Sequence, residues 1–327
     1  MKYIKLDNQL RASYSFALEE YIMTQPKFKD EYFIFWRTLP TLMIGRFQNT
    51  IEEINTKFVE ENKINVIRRN SGGGTIYTDE NGWQFSFITW KENGRGKDFR
   101  SFTIPIMDAL KELGLNATFS GRNDLMLENK KFSGCAQFST GNRYLHHGTI
   151  LFDTNIENMV KGLLVADDKI ISKGIKSVKE RVTNIKSALY HPNISSEEFK
   201  EKMISIIAKK MKVINISDED DLIAIKKIEE KKFLDWNWNY GKSPDFNITK
   251  TTQTAGGKFV VNLNVKNGII TDCKLNGDFF FMGDIIDFEK NLIGCVYEKS
   301  AVLNKIKFSE FGVFHLVSDK ELSDCFI

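Results

Sequence analysis

The sequence predicts an α/β (α+β) protein: a large unit of mixed sheets with flanking helices, followed by a small α+β unit. Two observations place the fold class. Stretches with apolar residues at helical spacing are interleaved with alternating, β-branched and aromatic runs. The composition then shifts at Trp236 to Pro244, where aromatic residues, Asn and Gly-Lys-Ser-Pro replace helical periodicity. A third observation, the length of 327 residues, fits two domains better than one. The boundary is expected between 243 and 244, giving units 1–243 and 244–327.

Taken in order, residues 10–24 carry Ala12, Phe16, Ala17, Glu20 and Tyr21 at helical spacing and read as an amphipathic helix. Glu31 to Arg37 and Thr41 to Gly45 read as a pair of strands joined through Pro40. Thr50-Ile51-Glu52-Glu53 has the capping-box form, so a helix is expected to about Asn62. Ile64 to Ile67 and Thr75 to Tyr77 read as strands. Asp79-Glu80-Asn81-Gly82 separates two apolar runs as a hairpin turn would. Phe102 to Leu113 reads as a helix with Pro105 near its start and Gly114 at its stop. Strand pieces follow around Thr118, Leu125 to Leu127, Ser133 to Phe138 and Thr149 to Asp153. Residues 155–211 read as helical segments, the last opening on Ser195-Ser196-Glu197-Glu198, and residues 218–234 as one more helix. Beyond the composition shift, Phe246 to Thr254, Lys258 to Val265 and Ile269 to Leu275 alternate as strands, with Asn267-Gly268 as a hairpin turn. Helices near 284–291 and 298–307 complete the small unit.

Hydrophobic residues make up 42% and charged residues 27%, the balance of a soluble globular protein. A formal charge of +3 gives no argument for nucleic acid. Lys226 to Lys232 mixes signs and reads as a solvated helical face. No apolar run approaches the ~18 residues of a membrane span. Cys135, Cys273, Cys295 and Cys325 lack CxxC spacing, which argues against a zinc site or disulfide framework and fits a reducing compartment. With no apolar signal core after Met1, a cytoplasmic protein is expected.

One stretch stands apart: Arg68-Arg69-Asn70-Ser71-Gly72-Gly73-Gly74-Thr75-Ile76-Tyr77. Three glycines between two strands permit positive φ and a close approach of backbone to a ligand. Backbone N–H groups beside arginines suit a carboxylate or phosphate. A tight turn with solvated arginines would use the same residues.

That stretch resembles the signature of lipoate–protein ligases. Gly121-Arg122-Asn123-Asp124-Leu125, Lys131-Phe132-Ser133-Gly134 and His147-Gly148-Thr149 resemble the family's second to fourth motifs. Lys173 to Lys179, running into Arg181-Val182-Thr183-Asn184, resembles the fifth. Trp236 to Phe246 and Gly277-Asp278-Phe279-Phe280 resemble the signatures of its accessory domain. The motifs follow the family's order over nearly the whole chain. The resemblance implies a catalytic domain akin to biotin–protein ligases and a mobile C-terminal accessory domain. It implies that lipoate and ATP, with Mg²⁺, give lipoyl-AMP. A lysine of a lipoyl domain, on a 2-oxoacid dehydrogenase E2 subunit or a glycine-cleavage H protein, then takes the acyl group. Neither nucleic acid nor membrane is expected as a partner.

Joining two anions calls for fixed positive charge where negative charge develops. By resemblance Lys131 is that charge. Lys130 adjoins it, and strand alternation allows only one of the two to face the site. Arg69 and the backbone of Gly72, Gly73 and Gly74 are expected at the anionic end, since a guanidinium fork suits a carboxylate or phosphate. The resemblance places Ser71, Tyr77, Asn123, Asp124, Ala136, His147 and Thr149 at lipoate or lipoyl-AMP, with Asp124 also a candidate for Mg²⁺. Lys173 and Lys176 fall on a loop near the nucleotide phosphates, held by Arg181 and Asn184. The apolar acyl chain needs an apolar slot, for which Ile76, Tyr77 and Phe85 to Phe87 are candidates, one alternate set facing the core.

Thr78-Asp79 stands where the family usually has His-Asp, and Asn81-Gly82 where it has Gly-Asn, so lipoate recognition there is open. Cys135 raises a rival reading, an ATP-independent lipoyl or octanoyl transferase, if a nearby lysine depresses the thiol pKa. A binding module without catalysis is a second rival. Gly94-Arg95-Gly96-Lys97 superficially resembles a biotin–protein ligase loop, but reads here as an exposed, mobile loop over residues 92–98.

Overall fold

A computed structural model describes residues 1–6, 10–91, 98–121, 123–163, 180–240, 248–266, 268–297, 299–307 and 312–327. Lys173, Lys176, Arg122, Asn267 and most of the 92–98 loop lie outside them. The strands are β1 Lys2–Ile4, β2 Tyr32–Trp36, β3 Thr41–Ile44, β4 Asn65–Arg68, β5 Ile76–Thr78, β6 Gly82–Trp90, β7 Thr118–Ser120, β8 Asp124–Leu127, β9 Lys130–Thr140, β10 Arg143–Leu151 and β11 Lys212–Ile214. After them come β12 Ile248–Thr254, β13 Gly257–Lys266, β14 Ile269–Gly277, β15 Phe281–Gly283 and β16 Gly312–Phe314.

A mixed eight-stranded sheet runs in the order β11-β1-β2-β6-β10-β9-β8-β7, and a three-stranded sheet in the order β4-β3-β5. Alternation sorts the apolar residues of the large sheet onto two faces. Phe33, Phe35, Phe85 and Phe87 pack on one side with Phe102, Ile106 and Leu110 of the helix Phe99–Glu112 and with Phe199 and Met203 of Ser196–Ile207. Tyr32, Ile34, Trp36, Ile88 and Leu145 pack on the other with the helix Ala12–Thr24 and Ile225 of Glu219–Ile228. The antiparallel sheet β12-β13-β14 and the ribbon β15-β16 form the C-terminal core with the helices Ile285–Leu292, Lys299–Lys307 and Asp319–Phe326. The α+β class holds, with mixed sheets and flanking helices. Among the described residues no helix is long and apolar enough to cross a membrane.

Several local expectations change, each for a tertiary reason. The two strands on either side of Pro40 do not pair: β2 joins β1 and β6, while β3 joins β4 and β5. Likewise Asp79 to Gly82 is a turn, with Gly82 N–H donating to Asp79 O (3.0 Å), but it links β5 of one sheet to β6 of another and closes no hairpin. The capping box at Thr50 does not form, because its hydroxyl is drawn to the carbonyl of Asn239 and accepts from Arg68 Nη2 at 2.7 Å. The helix therefore breaks into Thr50–Glu53 and Thr56–Glu61, the second capped by Asn55. Pro105 lies inside its helix, which starts a turn early on an Asp98 cap. The capping box at Ser195 and Glu198 forms as expected.

Candidate active site

The large-sheet face beneath Ala12–Thr24 is also the floor of a cavity of about 260 Å³. Trp36 pairs with Gln84 and Gln84 with Thr149, so these three lie in one row across β2, β6 and β10. Gly134 of β9 continues the row, its N–H reaching Thr149 Oγ1 at 3.4 Å. Behind that row, His147 sits opposite Ala136, and both line the cavity. The small sheet is the roof. Met43 and Ile76 turn inward, whereas Leu42, Val66 and Tyr77 pack together on its other face. Tyr77 is thus directed away from the cavity, as are Phe85 and Phe87, which belong to the opposite core. Of the apolar candidates, Ile76 alone lines the slot, together with Phe16, Trp36, Met43 and Phe280.

Lys131 reaches the cavity through a bulge. The β8–β9 hairpin turns on Glu128 and Asn129, both in the left-handed region (φ 48° and 64°). Leu125 pairs with Ser133 and Met126 with Lys131, so one residue of β9 is extra. Simple alternation from Gly134 and Ala136 would have aimed Lys130 at the cavity and Lys131 away from it. The bulge reverses this parity. Lys131 Nζ lies over Gly134, where an added Cβ would meet it at 3.0 Å, and pairs with Asp124 Oδ1 at 2.8 Å. Both side chains stay about one-third exposed (38% and 32%), within reach of a ligand. Thr183 N–H donates to Lys131 O at 2.9 Å, which fastens the segment 180–184 to the same strand, and Asn184 ties that segment to Thr154 through both amide atoms.

The arginines are not the open fork the sequence suggested. Arg69 is 5% exposed, and its guanidinium donates to Met43 O (2.7 Å), Gly72 O (2.8 Å), Gly74 O (2.8 Å) and Ser71 Oγ (3.1 Å). Burial first, and the Arg68 charge second, draw its pKa down to about 9, still well above neutrality. Arg68 likewise binds the carbonyls of Gly45, Gln48 and Trp238. Both act as internal ties that fold the glycine loop, because a buried cation needs its donors satisfied. The glycines follow suit. Gly73 adopts φ 92°, and a Cβ on Gly72 would fall 2.2 Å from Phe279 O. The backbone that approaches them is Phe279 and Phe280 of the C-terminal unit, Gly73 N–H donating to Phe279 O at 3.1 Å.

Ser71 does not line the cavity, but its hydroxyl lies 2.6 Å from His147 Nε2, and His147 Nδ1 lies 3.4 Å from the buried Glu19 carboxylate. Ser86 Oγ donates to Glu19 (2.5 Å) and accepts from Trp36 Nε1 (3.1 Å). This chain fixes the His147 ring. Ser71 is only 1% exposed and accepts from Arg69, so the Ser-His-Glu order here presents no nucleophile. His146 points to the other face among Phe85, Phe99 and Phe102, where burial drives its pKa well down. Glu19 and Gln84 were missed at the sequence level. Their signals were a carboxylate three residues after Phe16 on an apolar helix face, and Gln84 alternating with Ser86 in an otherwise aromatic strand.

Asn123 donates to Cys135 O and accepts from Cys135 N–H (2.9 Å), bracing Asp124 at the cavity edge. Cys135 itself contradicts the thioester reading. It is 2% exposed, and burial outweighs the Lys131 charge, pushing its thiol up to about 12. A thiol so protonated is a poor nucleophile.

Residues 11–208 match the family described as the lipoyl protein ligase A/B catalytic domain, and residues 243–326 the bacterial lipoate protein ligase C-terminus. The chain is 42% identical over 295 residues to the lipoate-protein ligase LplJ of Bacillus subtilis, covering 89% of each. It is 36% identical over 321 residues to lipoate–protein ligase 1 of Staphylococcus aureus, covering 98% of this chain and 97% of that one. The crystal structure of P. falciparum LipL1 in complex with lipoate superposes with a TM-score of 0.79 over 95% of both chains at 25% identity. A bi-partite ligase of Thermoplasma acidophilum, described with its E2 lipoyl domain, gives 0.65 at 25% identity over 76% of this chain and 98% of that one.

Proposed function

The chain belongs to the lipoate–protein ligase family, and from that premise we propose how its own residues carry out the ligation. It is an enzyme that joins free lipoate to protein at the expense of ATP. The observation that supports this assignment of roles is Lys131, paired with Asp124, at the edge of a slot lined by Phe16, Trp36, Met43 and Ile76. The slot holds the acyl chain and excludes water. The Lys131 ammonium stands where the lipoate carboxylate meets the α-phosphate, offsetting repulsion between two anions and then the charge on the bridging oxygens. In the first step a carboxylate oxygen displaces pyrophosphate from ATP. In the second, the amine of an acceptor lysine attacks the acyl carbon, loses a proton, and releases AMP. Asp124 holds the Lys131 ammonium in place through their 2.8 Å ion pair.

Asp124 and Asp278 border the cavity. Among the described residues no cluster of three or more metal-ligating side chains exists. Such a donor set fits a Mg²⁺ carried mainly by phosphate oxygens, with Asp124 supplying a carboxylate, rather than a protein-caged ion. The metal would neutralise phosphate charge. Lys173 and Lys176 remain our candidates for the nucleotide-phosphate loop, supported by the attachment of residues 180–184 to the Lys131 strand. We place the domain division between 243 and 244 and take the acceptor to be a lipoyl domain of an E2 subunit or H protein. The test is pyrophosphate release with free lipoate and ATP, followed by the mass of a lipoyl domain. We expect stoichiometric pyrophosphate and a lipoyl mass increment on one lysine. No ATP-dependent pyrophosphate release would overturn the reading.

A further inference from the structure

One buried polar group in the cavity has no role in this chemistry. Gln84 is 3% exposed and lines the slot. Its Nε2 donates to Thr78 Oγ1 at 2.6 Å, while its Oε1 is buried with no hydrogen-bond partner. An unsatisfied buried amide end is costly, so it calls for a partner from a ligand. Thr78 can accept from the amide or donate to it, so either end of the amide can be presented to the slot.

Its position says which part of a ligand it meets. Lys131 and the segment 180–184 mark the reacting end, on β9. Gln84 lies on β6, two strands away through Thr149 of β10. At about 4.8 Å per strand this is roughly 10 Å, close to the reach of an eight-carbon acid from its carboxyl to its far end. Trp36, its neighbour in the row, closes that end of the floor. Polar groups beside it are taken: Trp36 Nε1 donates to Ser86, and Ser86 to Glu19.

Resting on the ligase reading, we infer that Gln84, held by Thr78, is a specificity-determining residue that favours an acyl tail with a polarisable sulfur-bearing end over a plain hydrocarbon tail. The dithiolane sulfurs accept weakly from the amide Nε2, with Thr78 then donating to Oε1. Octanoate leaves the amide end unpaired. A site built around a buried polar group discriminates against a ligand that cannot satisfy it.

The experiment compares lipoate and octanoate in wild type, Gln84→Leu and Thr78→Val. It measures kcat/KM for ATP-dependent ligation to a lipoyl domain, and affinity for each free acid by calorimetry. We expect Gln84→Leu to shift the lipoate-to-octanoate ratio towards octanoate by at least tenfold, and Thr78→Val to shift it the same way by less. An unchanged ratio in Gln84→Leu overturns the inference while leaving the ligase reading intact. A wild type that ligates neither acid overturns the ligase reading instead. Should Gln84→Leu lose turnover, the calorimetric ratio decides on the same criterion, and thermal melting of Thr78→Val provides a folded second variant.

Discussion

Arg69 and Lys131 both border the cavity, yet they differ in every property that governs what a cation can do. Arg69 is buried, and its donors are taken up by the carbonyls of Met43, Gly72 and Gly74 and by Ser71. The Lys131 side chain stays about one-third exposed, with one carboxylate partner among the described residues. A guanidinium with four of its N–H groups bound to the surrounding chain builds a loop; a loosely held ammonium can change partners as charge develops on a substrate. Position in the cavity is therefore a poorer guide to chemistry than the number of unsatisfied donors.

The comparison can be broken from either side. Arg69→Met strands several buried acceptors at once. The expected cost is about 3–5 kcal/mol, seen as a thermal midpoint lower by roughly 10 °C. A midpoint within a degree of wild type would mean the loop does not depend on those ties. Lys131→Ala should do the reverse, reducing adenylation and transfer by about 10²–10³-fold with little change in melting. Lys130→Ala, on the opposite side of the bulged strand, should keep most activity, and equal losses in the two variants would sink the assignment.

The glycines give a finer cut. Gly72→Ala sets a Cβ against Phe279 O, while the nearest atom to a Cβ on Gly74 is Asp278 Cβ at 3.9 Å. Destabilisation of about 1–3 kcal/mol is expected for Gly72→Ala and almost none for Gly74→Ala, read by denaturant unfolding. Next comes the histidine pair. The folded His146 resists protonation, so the unfolded chain binds the extra proton as pH falls through about 6.5. Stability is then full above that pH and declines below it, by up to about 1.4 kcal/mol per pH unit. His146→Phe should flatten the difference in melting between pH 7 and 5, and parallel curves would argue against it. The smallest effect is Cys135→Ala, which should keep ATP-dependent ligation within about twofold, since a thiol pushed up to about 12 supplies no nucleophile. Loss of transfer with intact pyrophosphate release would restore the thioester reading.

Local patterns were enough for much of this molecule. The span of the helix Ala12–Thr24, the capping box at Ser195, the β12-β13-β14 meander and the glycine loop between two strands all depend on near neighbours, so spacing, caps and turn residues reveal them, although that first helix is buried on nearly every side rather than amphipathic. The motif order pointed to Lys131, Asn123, Asp124 and His147, and these converge on one cavity. Distant partners decided the rest. Which strands pair across Pro40 and Asp79 depends on a second sheet that neither segment encodes alone. Arg69 reads as a ligand fork until the carbonyls of Met43, Gly72 and Gly74 close around it. Sequence alternation would have chosen Lys130, and only the extra residue in β9, visible through its pairing with β8, turns Lys131 to the cavity. Residue identity sets the chemistry available, but parity, burial and unpaired donors are properties of neighbours far apart in the chain.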